Sequence, residues 1–237
     1  MHSDPVTLIL TRDRTGARRD EKSNRVRQAA QRALCQRLLD VKDDDVMTIK
    51  MDIEEALQAR GINPEAPLVC LHETSDIWSD KRTLVVKVGH ENTRGDYLCD
   101  LKAFAKAGVR CEKLLLDEVI PVGELHAVVV GYLTPDRPPQ ASDAEAVGAL
   151  LRAVHEATLD PNRYEPPTEG HVSFPDDWHA QNIIIHAGVP YLVDLDLWQE
   201  CPRDEAVKLA CDQFLRGLPH TEDDIAAFRR GYVAYDA

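Results

Sequence analysis

Residues 171–198 read HVSFPDDWHAQNIIIHAGVPYLVDLDLW, and this stretch decides the fold. Ile183-Ile184-Ile185 is a short β-branched run of the kind a buried strand needs. His186-Ala187-Gly188 supplies a turn, with a glycine free to take a positive φ. Tyr191-Leu192-Val193 is the return strand, and Asp194 closes it. Antiparallel pairing folds the two arms together, so Asn182 and Asp194 are expected at the same end of the hairpin. An amide oxygen and a carboxylate meeting there suit a hard cation such as Mg²⁺, which takes oxygen ligands. Residues 171–182 read as a loop leading into that end, and within it Asp177 brings a third oxygen-bearing side chain. A surface hairpin with polar ends would have the same composition, so the stretch alone leaves both readings open.

The spacing carries more. Asp-x-x-x-x-Asn, a hairpin, then Asp is the order in which a catalytic base and two metal ligands follow one another in kinase-type phosphoryl transfer. Asp177-Trp178-His179-Ala180-Gln181-Asn182 resembles the catalytic loop of the aminoglycoside phosphotransferase and choline kinase families, Asp-x-His-x-x-Asn. Val193-Asp194-Leu195-Asp196 resembles their metal-binding strand end. The resemblance, to the protein-kinase-like superfamily, implies a two-lobed α+β fold and transfer of phosphate from ATP or GTP to a hydroxyl of a small molecule. It implies Asp177 as the base, Asn182 and Asp194 as Mg²⁺ ligands, and Asp196 as a supporting acid that could exchange roles with Asp194.

Other segments fall into the same order. Lys87 lies inside Leu84-Val85-Val86-Lys87-Val88, too apolar a run for a solvent-facing lysine in a central strand, and a buried lysine needs an anionic partner. An edge-strand lysine that blocks aggregation is the alternative. The resemblance makes Lys87 the residue that neutralises the nucleotide phosphates. It places Glu73–Trp78, with Ser75, where a phosphate-covering loop lies. The helix expected over about 95–107 carries no glutamate to pair with that lysine; Asp96 and Asp100 are the candidates, with Asp96 favoured by its distance from Gly108. An apolar run, 127–133, enters the Pro-rich link Thr134–Pro139, as a hinge between lobes would. In the family the hinge backbone, here Gly131, Tyr132 and Leu133, holds the base.

Strands are further expected over 68–71, 83–88 and 114–119. Ser142-Asp143-Ala144-Glu145 has the form of a capping box, opening a helix with Val147, Leu150, Leu151 and Val154 on one face. Its Leu150-Leu151-Arg152-Ala153-Val154-His155 resembles the Leu-x-x-Leu-His helix that precedes the family's catalytic loop. His155 and His179 are read as structural, holding their surroundings by hydrogen bonds. Helices follow over 204–215 and 220–232, the latter with Thr221 as N-cap. The chain after Trp198 is short beside an aminoglycoside phosphotransferase and looks more like the compact Kdo-type sugar-lipid kinases.

The first 65 residues read as an N-terminal extension, ahead of a small nucleotide-binding lobe (66–133) and a larger helical lobe (134–237). Within the extension, a strand is expected over 6–10, an amphipathic helix over 23–39, a strand over 46–51 and a short helix over 52–60. Residues 11–37 hold nine lysines and arginines against three acids. With no aromatic among them to stack bases, they read as a solvated face rather than a nucleic-acid site. The net charge of −13 disfavours nucleic acid and anionic membranes and favours cationic ligands, such as an amino sugar or an amino alcohol. No apolar run approaches the roughly 18 residues of a membrane span. Six cysteines without zinc spacing, and an opening MHSDPVTLIL with no cleavage pattern, lead to the expectation of a cytoplasmic protein with reduced thiols.

Three features depart from the family: Pro175-Asp176-Asp177 in place of His-Gly-Asp, a phosphate loop without glycine, and aspartate for glutamate on the helix. They motivate the alternative of a kinase-like binding or scaffold protein without catalysis.

Overall fold

A computed structural model describes residues 43–71, 76–157, 167–175, 178–194 and 198–233. Its first element is a helix, α1 (Asp43–Gln58). The strand expected over 46–51 is therefore the first half of a helix. Val46, Ile49, Ile53, Ala56 and Leu57 recur at helical spacing, and that stripe outweighs the β-branched character of its first members. The stripe packs on Leu68, Trp78, Val86, Val88, Ile120, Val122 and Val129. The elements expected over 6–10 and 23–39 lie outside the described residues.

The surface beneath α1 is a five-stranded antiparallel sheet in the order β1-β2-β3-β5-β4, built from β1 (Val69–Cys70), β2 (Ile77–Ser79), β3 (Leu84–Gly89), β4 (Ile120–Val122) and β5 (Leu125–Gly131). The strand expected over 114–119 reduces to a single bridge, Leu114 to Val130, and the paired strand begins at Ile120. Buried Asp80 fixes the turn between β2 and β3, accepting the N–H groups of Arg82, Thr83 and Leu84 and the Thr83 hydroxyl. Burial alone would raise this carboxyl. The hydrogen bonds outweigh it and hold the group far below the usual carboxylate range.

β3 is buried along its whole length, on both faces. Leu84, Val86 and Val88 face α1, and Val85 belongs to the core on the opposite face, with α2 (Glu91–Ala107). That second core is continuous through α3 (Ala144–Glu156), the hairpin β7 (Ile183–His186) and β8 (Val189–Leu192), α4 (Arg203–Leu215) and α5 (Glu222–Val233). A two-stranded sheet of β6 (His171–Pro175) and β9 (Trp198–Pro202) completes the fold. Residues 171–175, read as loop from sequence, are thus a strand; the partner that makes them one is distant in sequence. Among the described residues no helix is long and apolar enough to cross a membrane.

The capping box ahead of α3 sits two residues earlier than expected. Gln140, not Ser142, is the cap, and its N–H donates to Asp143 at 2.9 Å across a 3₁₀ turn. Asp143 also receives a bidentate pair from Arg137, at 2.7 and 2.6 Å. At α5, Thr221 stands immediately before the helix, and its N–H and hydroxyl both donate to Asp224.

α3 and α5 cross with backbones in contact. A methyl group at Gly148 would run into Phe228 O, and one at Gly231 into Glu145 O. Each clash is with backbone on a packed helix, which a rotamer change cannot relieve. Gly148→Ala or Gly231→Ala should therefore destabilise the protein by about 3 kcal/mol, read as a lower urea midpoint at unchanged slope.

His155 closes the same helix pair. Its Nδ1 accepts the Tyr232 hydroxyl at 2.9 Å, and Arg203 donates to that hydroxyl at 3.2 Å. Burial, reinforced by the Arg203 and Arg152 guanidinium groups, pushes the imidazole down from 6.5 to about 3. Between those values the unfolded chain binds a proton that folded His155 refuses, so stability falls as pH falls through the window. Going from pH 7 to pH 5, this residue should account for a loss of about 2 kcal/mol. Denaturant titrations at the two pH values should show that loss shrinking by about that amount in His155→Gln.

Candidate active site

β3 alternates its side chains, and Lys87 falls on the same face as Val85, toward α2. The lysine is 3% exposed. Its ammonium group donates to the Tyr97 hydroxyl at 2.7 Å, pairs with Glu112 at 2.9 Å and lies 3.5 Å from Asp194. The Tyr97 hydroxyl in turn donates to Glu112. The expected buried strand lysine with acidic partners is what the structure contains.

One carboxylate beside the lysine is one that the sequence reading did not name. Of the two candidates on α2, Asp100 is buried on the inward face with Tyr97, Leu101 and Phe104, and Asp96 is not. Asp96 stands about 100° round the helix and is only half-buried. The carboxylate comes from Glu112, beyond the end of α2. Gly108, at φ 73°, ends the helix in the left-handed region. The chain then runs between sheet and hairpin. Leu192 N donates to Arg110 O, Gly131 N to Lys113 O and Leu115 N to Val129 O. Glu112 sits in the middle of this lacing and is 7% exposed. The local sequence carried no signal for it: Glu112 stands between Arg110 and Lys113 in Val109-Arg110-Cys111-Glu112-Lys113-Leu114, where an acid reads as an ordinary surface charge.

The hairpin forms as read. Ile183 pairs with Leu192 and His186 with Val189, around Ala187-Gly188 at φ 51° and 76°, the signs of a type I′ turn. Val193 N donates to Asn182 O at 2.9 Å, extending the ladder one step beyond β7 and β8. Asn182 and Asp194 thus reach the same end of the hairpin. Asp194 adopts φ 61°, a left-handed conformation that aspartate tolerates better than most residues. Trp178, fully buried, donates its backbone N–H to Gln213 Oε1 of α4 at 3.1 Å and anchors the loop before Asn182. Asp177, Asp196 and Ser75 lie outside the described residues.

The hinge segment is stapled to this hairpin. Asp136 N donates to Ile185 O, Gly188 N to the Asp136 carboxylate, and His186 Nδ1 to Thr134 O. Of the three residues expected to hold a base, Gly131 and Tyr132 already spend their N–H groups on Lys113 O and Thr83 O. Leu133 is the first residue past those bonds.

Among the described residues no three His, Cys, Asp or Glu side chains are grouped to hold a metal ion. The donors at the hairpin end are the Asn182 amide and the Asp194 carboxylate. That set fits Mg²⁺, which takes one or two protein oxygens and completes its shell with phosphates and water.

No protein-family model and no curated protein matches the sequence. Solved structures do. An aminoglycoside-3'-phosphotransferase of type VIII superposes with a TM-score of 0.52 at 19% identity, over 78% of this chain and 93% of its own. A spectinomycin phosphotransferase in complex with ADP and spectinomycin gives 0.60 at 12% identity, over 77% and 79%. The choline kinase LicA from Streptococcus pneumoniae gives 0.54 at 13% identity, also over 77% and 79%. The buried lysine on the central strand and the polar hairpin end thus sit in a known architecture: the chain has the protein-kinase-like fold, in the form taken by aminoglycoside phosphotransferases and choline kinases.

Proposed function

We propose that the protein is an ATP-dependent phosphotransferase that phosphorylates a hydroxyl group of a small molecule. The observation that carries the reading is the meeting of Lys87, from the central strand, with Asp194, from the hairpin end, at 3.5 Å. A buried cation beside two oxygen donors is the arrangement that phosphoryl transfer needs, because the protein's work there is positioning and charge stabilisation. ATP is favoured by the ADP held in the spectinomycin phosphotransferase.

In this mechanism Lys87 neutralises the phosphates of the bound nucleotide. Asn182 and Asp194 would hold Mg²⁺, which when bound supplies charge compensation to the phosphates. The N–H of Leu133 is the hinge donor available to the base. Asp177 accepts the proton of the acceptor hydroxyl and orients its oxygen. Asp177→Asn should lower turnover by about a thousandfold or more while leaving nucleotide binding intact. Binding is read separately, as thermal stabilisation. ATP with Mg²⁺ at a hundred times its dissociation constant should stabilise the fold by about 2.7 kcal/mol. Full activity in Asp177→Asn would refute the base; no stabilisation by any nucleotide would turn the reading toward a binding or scaffold protein.

The acceptor we propose is cationic, an amino sugar or amino alcohol. The chain carries −13, and exposed Glu200, Asp204 and Glu205 gather where β9 runs into α4. A steered cationic substrate should lose catalytic efficiency as salt rises, since screening acts over about 10 Å at 0.1 M. A screen of amino sugars, amino alcohols, neutral sugars and nucleosides at low and high salt tests this. A neutral best substrate without salt dependence would exclude it.

A further inference from the structure

We propose that Tyr97 and Glu112 form the positioning pair that holds Lys87 against the nucleotide phosphates, the tyrosine bridging the lysine to a carboxylate outside the helix. The inference rests on the phosphotransferase reading above and names residues that reading does not use.

The geometry separates the lysine's two acids. Glu112 lies 2.9 Å from the amine, with its side chain 6% exposed; Asp194 lies 3.5 Å away and is 38% exposed. When phosphates claim the open side of the amine, Asp194 is the partner that can turn away toward water. Glu112 cannot, because it is enclosed by the chain that laces sheet to hairpin. Tyr97, 2% exposed, accepts from Lys87 and donates to Glu112, so it fixes one N–H of the amine and one lone pair of the carboxylate together. A flexible four-carbon side chain is thereby aimed before the nucleotide arrives. This acts on nucleotide affinity through Lys87; neither residue is assigned contact with the phosphates.

Tyr97→Phe keeps the ring and the packing and removes only the bridge. It should raise KM for ATP about tenfold while kcat changes less than about threefold, the pattern of lost uniform binding. Glu112→Gln should raise it further, and Glu112→Asp, which keeps the charge, should recover part of the loss. Asp96→Asn should cost less than Glu112→Gln. Wild-type KM in both Tyr97→Phe and Glu112→Gln, or the largest loss falling on Asp96→Asn, would overturn the pair.

A second readout needs no turnover. The Kd for ATP with Mg²⁺, followed by thermal shift, should rise about tenfold in Tyr97→Phe and further in Glu112→Gln. An unchanged Kd in both variants overturns the inference. A Kd that rises in both variants of a protein that transfers no phosphate leaves the pair as the holder of Lys87 and overturns the phosphotransferase reading instead.

Discussion

An ammonium group at 3% exposure must be neutralised where it lies, and the site is built around that requirement. Lys87 cannot move out of β3, which is buried on both faces and paired along its length with β5. Its counter-charges are brought to it. Glu112 arrives on the strap that leaves α2 at Gly108, and Asp194 on the return arm of the hairpin. Three segments distant in sequence are thereby tied to one point.

The strap itself shows how closely sheet and hairpin are joined. Within a few residues it bonds to β5 on one side, through Gly131 and Val129, and to β8 on the other, through Leu192. The hinge link adds a second tie, with Asp136, Thr134 and Arg137 all set by the hairpin or by the start of α3. On the far side, Gly148 and Gly231 bring α5 into backbone contact with α3, the helix that precedes β6 and the hairpin.

Local features were legible in the sequence. The type I′ turn at Ala187-Gly188 and the β-branched arm before it fixed the hairpin, and its register fixed the common end of Asn182 and Asp194. Lys87 was legible as buried because its neighbours leave no polar face. The misreadings share one cause. Val46–Met51 looked like a strand until the stripe through Ile53 and Leu57 found a sheet to cover. Residues 171–175 looked like a loop because β9, which pairs with them, is on the far side of the hairpin.

The sequence by itself determined the order of chemistry-bearing residues along the chain and the hairpin that joins two of them, because turn type and strand period are set by neighbours. The tertiary structure alone decided that Glu112 meets the lysine. Asp96 and Glu112 are both carboxylates within reach by sequence, but helix rotation turns Tyr97 inward in place of Asp96. A left-handed glycine then swings Glu112 under the sheet. Which side chain fills a buried position depends on the angle at which a helix sits on its sheet, and that angle is a property of the packed core.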